Sequence, residues 1–474
     1  MNHASGSTPT SADKMKFVIM SIVGAFFFLI PFPIARGEAP NIALGHAINW
    51  FGALVNSVEV NGFGLIFLIT VIVLTASALI TLLAYTVKPA FIMESKKMSS
   101  VFHCGVIYLI ARLFAAFLAW GVFLSLHDSI PALGFMLGWT GATLMLLELI
   151  VSNGGLMTIF FFLAFLMPIL TDFGFLEFIG VLIKKAMRAL FTLPGRSSIN
   201  VITSWFGSSA AGVIIARDQY EKGFYTRREA AAIAANFCVV SLPFTFAVVG
   251  VLELLPYFPV FYLIVTIVGI ILAIALPRIW PLINISDEYH AEVGKQVAEE
   301  VDPGTSLFAY AVDSAALRAR ETKPEEVVKS GLGNWLDIYM DLIPIILVLG
   351  TIAVMVSEWT VFGGYSIFHW IGWPFGQLLA VLGVPDAMAF AGATVVGFVD
   401  MFIPALMLGG DAPIQTRFVI GAVSIIQIIY MAETGVLMLK AKLLTFWQLC
   451  VIFLMRTIIA IPIVVVLTNL LFNP

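Results

Sequence analysis

Residues 194–243 read PGRSSINVITSWFGSSAAGVIIARDQYEKGFYTRREAAAIAANFCVVSLP. The stretch is too apolar for a surface loop and too interrupted for a plain membrane helix. Pro194-Gly195-Arg196 opens it, small and hydroxyl residues follow, and Thr226 launches a long helix after a charged link. Pro194 presets a first helical turn, and Trp205-Phe206-Gly207-Ser208-Ser209-Ala210-Ala211-Gly212 has the small residues that a tight reversal needs. The pattern predicts a re-entrant helical hairpin over 194–217. Thr226-Arg227-Arg228-Glu229 then fits the S/T-x-x-E capping box and fixes the start of the next helix. In a chain of membrane spans, a broken polar segment of this kind marks a place where something binds.

The rest of the chain supplies those spans. Of 474 residues, 60% are hydrophobic and only 11% charged, with a mean hydropathy of +1.01, which no soluble domain of this size shows. The fold class expected is an all-α polytopic membrane protein. A net charge of −4 with no basic tract excludes a nucleic-acid partner. Cys104, Cys238 and Cys450 lie in apolar runs and read as packing residues, not as disulfides or metal ligands. The histidines are scattered, and Walker, G-x-S-x-G and H-E-x-x-H motifs are absent from the sequence, so neither an enzyme nor a bound metal or cofactor is expected.

Residues 1–14 are polar and read as a disordered N-terminus, and 15–171 as an N-terminal transmembrane region. Its apolar runs are 16–34, 62–86, 101–126, 132–151 and 155–171, with 40–58 better suited to an interfacial helix. The basic loop at Lys88, Lys96 and Lys97 is expected on the same side as the basic loops further on, and an odd number of crossings cannot achieve that. One of 101–126, 132–151 and 155–171 is therefore not a full crossing.

After residue 171 the chain reads as two related halves around a polar cytoplasmic link, 285–334. The first, 172–284, has an amphipathic helix at 173–192, the hairpin at 194–217, and spans at 226–251 and 257–282. The second, 335–474, has a span at 335–358, an interfacial segment at 361–383, a hairpin at 385–410, and spans at 414–439 and 445–472. Basic residues crowd the first half's interfacial parts (Lys184, Lys185, Arg188, Arg196, Arg217, Lys222, Arg227, Arg228), whereas Arg417 stands beside Asp386 and Asp411 in the second. By the positive-inside tendency the two hairpins enter from opposite sides, which makes an inverted repeat.

Candidate binding residues follow from depth and polarity. In the first half these are Asn200, Ser204, Ser208, Ser209, Asn236 and Ser241; in the second they are Gln427 and Thr434. Any one serine serves helix packing equally well, but the cluster favours a site. Asp400 and Glu433 are carboxylates in apolar runs and read as handling a coupling cation or proton, Na+ or H+. For Asp400 the alternative is a helix cap inside the hairpin. Pro243 reads as a mid-helix bend. Arg112 is expected to pair with Glu148, and Arg456 with Glu433. Asp337 and Asp341 are expected at the start of a span, where acids complement the helix dipole.

LTDFGFLEFIG (170–180), LPGRSSINVITSW (193–205) and YEKGFYTRREAAAIAANFCVVSLPF (220–244) carry a family resemblance. Residues 170–245 resemble the Gate, or nucleoside-recognition, domain of concentrative nucleoside transporters, of the membrane part of ferrous-iron transporter B and of spore maturation proteins. In detail the chain resembles the bacterial YjiH family over most of its length. The nucleoside-transporter likeness implies two hairpins, a solute and a cation held between hairpins and unwound helices, and a homo-oligomer. Those transporters' substrate motifs have no match here.

Two functions are therefore expected. The first is an inner-membrane secondary transporter of a small polar or anionic metabolite, a nucleoside-like solute included, coupled to a cation. The alternative is a non-transporting subunit that pairs with a second Gate-domain membrane protein in envelope physiology. Membrane lipid surrounds either.

Overall fold

The computed structural model describes residues 8–33, 40–103, 105–126, 140–152, 155–206, 209–238, 242–295, 306–362, 365–409 and 412–472. They form an all-α molecule in which the strands among them are three short antiparallel pairs at loops. The N-terminal region holds α1 (Ser11–Leu29), α2 (Ala43–Asn56), α3 (Leu65–Thr86), α4 (Val106–Phe123), α5 (Thr140–Val151) and α6 (Leu156–Thr171). Helix α1 starts inside the segment expected to be disordered. Thr10 and Asp13 make a reciprocal capping box there, with the Thr10 amide on Asp13 Oδ2 at 2.8 Å and the Asp13 amide on Thr10 Oγ1 at 3.3 Å. The described part of 132–151 is α5, and residues 132–139 lie outside the described residues.

The first half contains α7 (Phe175–Phe191), α8 (Ser197–Phe206), α9 (Ser209–Glu221), α10 (Arg227–Phe237), α11 (Leu242–Val251) and α12 (Phe258–Ala275). Between the halves lie α13 (Leu307–Glu321) and α14 (Pro324–Asp337), and α15 (Ile343–Glu358) continues α14. The second half then contains α16 (Ile367–Val381), α17 (Ala393–Val396), α18 (Ile403–Leu408), α19 (Ile414–Gln427), α20 (Thr434–Lys440) and α21 (Phe446–Phe472). Six helical stretches among the described residues are long and apolar enough to cross a membrane: α3, α4, Leu146–Thr171, Leu255–Arg278, Pro324–Val356 and α21. Large apolar side chains such as Ile72, Ile107, Leu263, Ile458 and Val466 point outward from them, as lipid-facing residues do. The protein is a multi-pass membrane protein.

Three expectations need correcting. The runs 226–251 and 414–439 are not continuous spans; each is two helices joined by a break. The span read as 335–358 begins at Pro324. Asp337 and Asp341 therefore lie inside or beside a π-helical turn (Ile338–Leu342) in mid-helix, not at a helix start. They answer basic partners instead, Asp337 bonding Lys97 at 2.5 Å and Asp341 bonding Arg112 at 2.5 Å.

The polar link is docked on the helical body. Helix α13 packs along α1 and α7, with Lys14 on Asp313 at 2.6 Å and Lys16 Nζ on the Thr322 carbonyl at 2.7 Å. Thr322 Oγ1 donates to the Asp172 carbonyl at 2.6 Å, just ahead of α7. The start of α1 thus shares a face with the link.

The two halves run in opposite senses. At the start of α10, the amides of Arg227 and Arg228 bond the carbonyls of Glu288 and Ser286, and Arg227 Nη2 reaches the Lys442 carbonyl beyond α20 at 3.2 Å. At the start of α19, Arg417 Nη1 reaches the Leu252 carbonyl at 2.8 Å and Glu253 at 3.2 Å, beyond α11. Each broken helix therefore begins where the other ends. Both interfacial helices seat their hairpins through a glycine: Gly180 of α7 lies against Ile199, and Gly372 of α16 against the Ala391 backbone. At Gly372 a Cβ would stand 2.1 Å from the Ala391 carbonyl oxygen, so no larger residue fits there. The halves are an inverted repeat.

Candidate functional site

The first hairpin is built by α8 and α9, which fold back so that Arg196 Nη2 at its start meets Gln219 Oε1 near its end at 3.1 Å. Its arms pack closely because Gly212 faces Ser204, whose Oγ would lie 2.0 Å from any added Cβ. Gly207 and Ser208 lie outside the described residues. At the hairpin's base, outside the membrane-spanning part, burial pushes the Tyr225 phenol up to about 12, so it stays protonated.

Helix α10 starts on its Thr226–Glu229 capping box and buries an alanine run, Ala230–Ala235, that lets neighbouring helices approach. It stops at Phe237. Ser241 lies outside the described residues, and Pro243 is the second residue of α11. Proline here begins a half-helix, a position where its missing N–H costs nothing, and does not bend a continuous one.

The second broken helix shows how its free carbonyls are satisfied. Helix α19 stops at Gln427, and Ile428 takes a left-handed conformation (φ 63°, ψ −33°) that a β-branched residue rarely adopts. The four terminal carbonyls of a helix need outside donors. Tyr430 Oη lies 2.9 Å from the Ser424 carbonyl and 2.8 Å from that of Ile425. Arg456 Nε takes Ile426 at 2.7 Å, and the Ile429 amide takes Gln427 at 2.7 Å. Thr434 Oγ1 donates to the Ile428 carbonyl at 2.6 Å and accepts from the Tyr430 amide at 3.2 Å. The unwound residues pair in turn with the second hairpin, Met431 N on Phe398 O at 2.8 Å and Ala432 N on Val399 O at 2.9 Å.

Asp400 and Glu433 each stand one residue beyond the Val399–Ala432 contact. Glu433 Oε1 accepts from Ser209 Oγ of the first hairpin at 3.2 Å. Asp400 Oδ1 accepts from the Phe402 amide at 2.8 Å, so the capping alternative accounts for one of its oxygens. Both acids are partly exposed, as is Phe244 of α11, whose ring lies 5.8 Å from that of Phe402. Asp400 and Glu433 thus flank the pairing of the second hairpin with the unwound segment, and Glu433 meets Ser209 of the first half. Such a set can accept hydrogen bonds from hydroxyl or amino groups, hold a cation, or exchange a proton.

The other candidate residues form the frame around this point. Ser204 Oγ bonds back to the Asn200 carbonyl at 2.7 Å, and Asn200 is buried beneath it. Gln427 Nε2 ties the Thr394 carbonyl of the second hairpin (2.7 Å) to Thr457 of α21 (2.9 Å). Thr434 closes the unwound loop. Asn236 Nδ2 donates back to Ala232 O at 3.0 Å, and its Oδ1 accepts from Arg456 at 3.0 Å.

Arg456 departs from its expected partner. Its guanidinium bonds the Ile426 and Ala235 carbonyls and Asn236, not Glu433, because helix ends with free carbonyls lie nearer its reach. Arg112 likewise answers Asp341, Thr81 and the Val101 carbonyl, while Glu148 is exposed. Sequence reasoning missed Tyr430 and gave Arg456 the wrong role. The available signal was a lone arginine in the apolar run VIFLMRTIIAIP.

With this geometry in place, similarity to known proteins can be stated. A family model described as Gate, nucleoside recognition, matches residues 154–272. An uncharacterised protein of Alkalihalophilus pseudofirmus (strain ATCC BAA-2126 / JCM 17055 / OF4) is 40% identical over 473 residues, covering 98% of this chain and 96% of that one. A solved structure of CNTnw in an inward-facing substrate-bound state aligns over 97% of this chain and 99% of that one, with 13% identity and a TM-score of 0.42. A double variant of CNTnw in an outward-facing state aligns over 98% and 97%, with 15% identity and a TM-score of 0.41.

Proposed function

This chain belongs to the Gate family of membrane proteins, and we propose that it is a secondary transporter of a small polar metabolite. The observation that carries this reading is the contact of Ser209 with Glu433 between two oppositely directed broken helices, beside the backbone pairing that Asp400 adjoins. Inverted halves with unwound helices at their interface are the architecture of alternating access, in which one unit rocks against the other around a fixed site.

The lining narrows the solute. Two carboxylates repel an anion, so of the metabolites expected from the sequence a neutral or cationic one suits the site better. Carboxylates accept well from the hydroxyls of a sugar-like moiety, and the partly exposed Phe244 offers a flat apolar surface beside them. A nucleoside-like solute satisfies both features. Asp400 or Glu433 takes the coupling cation or proton. The basic face, with Lys184, Lys185, Arg188, Lys222 and Lys442, is cytoplasmic, and the membrane is the bacterial plasma membrane.

Binding is tested by the thermal stability of the purified protein against a panel of nucleosides, polyols and organic anions. A neutral hydroxylated solute is expected to raise the melting temperature in a saturable way, and Asp400→Asn or Glu433→Gln to weaken its affinity about tenfold or more. Stabilisation by anions alone would overturn the assignment of the solute class.

A further inference from the structure

A charge in the interior of a membrane protein needs a reason, and Arg456 of α21 is fully buried. None of its hydrogen-bond partners is a carboxylate. Its Nε bonds the Ile426 carbonyl at 2.7 Å; its Nη1 bonds the Ala235 carbonyl at 3.1 Å and Asn236 Oδ1 at 3.0 Å. Ala235 lies in the last turn of α10 and Ile426 in the last turn of α19, so one guanidinium joins the C-terminal ends of both broken helices.

A helix C-terminus carries about half a negative charge on its free carbonyls, and two such ends brought together repel each other. In unwound membrane helices, carbonyls of this kind serve as ligands for a mobile cation. Asn236 adds an amide oxygen to the set. The three described hydrogen-bond partners of Arg456 are therefore oxygen atoms of the kind that ligate a monovalent cation. A covalently attached cation already bonds them through Nε and Nη1, while its buried Nη2 has no described partner.

We infer that Arg456 is a tethered cation, which holds the two half-helix ends together in place of a free metal ion. Ion binding at this point is then unnecessary. Because the guanidinium bonds a carbonyl from each half, it also registers the halves against one another and is a positioning residue. None of this requires that a solute be carried.

The test is hydrogen exchange of the purified full chain at residues 235–238 and 424–430, in about 100 mM NaCl against choline chloride. In the wild type, exchange at both ends is expected to be slow and equal in the two salts. In Arg456→Gln it is expected to rise about tenfold at both ends together, with Na+ or about 20 mM guanidinium slowing it again and choline not. Arg456→Lys, which keeps the charge, is expected to raise exchange less and to show no response to Na+. Saturable slowing of wild-type exchange at these ends by Na+ would overturn the inference, and that measurement stands even if the glutamine variant does not fold. Faster exchange in Arg456→Gln that neither cation reverses would overturn it as well, leaving Arg456 a packing residue.

Discussion

At the scale of single residues, the buried cations decide what the interior tolerates. Arg112 is fully buried in α4, bonding Thr81 Oγ1 (2.5 Å), the Val101 carbonyl (2.8 Å) and Asp341 (2.5 Å), whose own side chain is 40% exposed. Removing the arginine opens a cavity and leaves the Val101 carbonyl without its donor, so Arg112→Ala is expected to cost about 3–5 kcal/mol in detergent unfolding. Asp341→Asn is expected to cost less, about 1–2 kcal/mol, because two neutral partners remain and an amide oxygen still accepts. The reverse order would contradict the pairing. That Arg112 needed a partner was legible, since a lone charge in an apolar run always does. Which partner was not, because Asp341 is 229 positions away and reaches it from a π turn that hydropathy cannot reveal.

At the scale of elements, the breaks in α10–α11 and α19–α20 shape the site, and the sequence showed them unequally. At the first, Pro243 signalled a bend in a continuous span and not a break. The second runs through QIIYMAET, apolar enough to pass for a continuous span, and only Glu433 stands out. What opens it is Tyr430, whose hydroxyl takes carbonyls that would otherwise continue the helix. Tyr430→Phe removes that donor and leaves buried carbonyls unsatisfied, so a loss of about 1–3 kcal/mol is expected, with faster hydrogen exchange centred on 424–430. A neutral phenylalanine would mean that the loop is held by packing alone. For the first hairpin, Pro194 and the small residues up to Gly212 give direct local signals. The frame roles of Ser204, Asn236 and Gln427 depend on contacts between elements and carry no such signal.

For the whole molecule, the inverted arrangement was legible in the order of elements and in the crowding of basic residues on one half. Arg227 at Lys442 and Arg417 at Glu253 express it as contacts. The link reads from sequence as a linker because it lacks an apolar face able to make a core of its own. Its helices instead use Ala311, Ala315, Ala316 and Ala319, small enough to lie flat on α1 and α7. In the proposed function the two opposed halves share one polar point, reached by Ser209 from one, through its bond to Glu433, and by Asp400 and Glu433 from the other. Gradient-driven uptake in proteoliposomes, with the solute found by the stability panel, tests this directly. Wild-type protein is expected to concentrate the solute under an imposed cation or proton gradient, and Asp400→Asn and Glu433→Gln each to reduce that accumulation about tenfold or more while the protein stays folded. Accumulation unchanged in both variants would contradict the account.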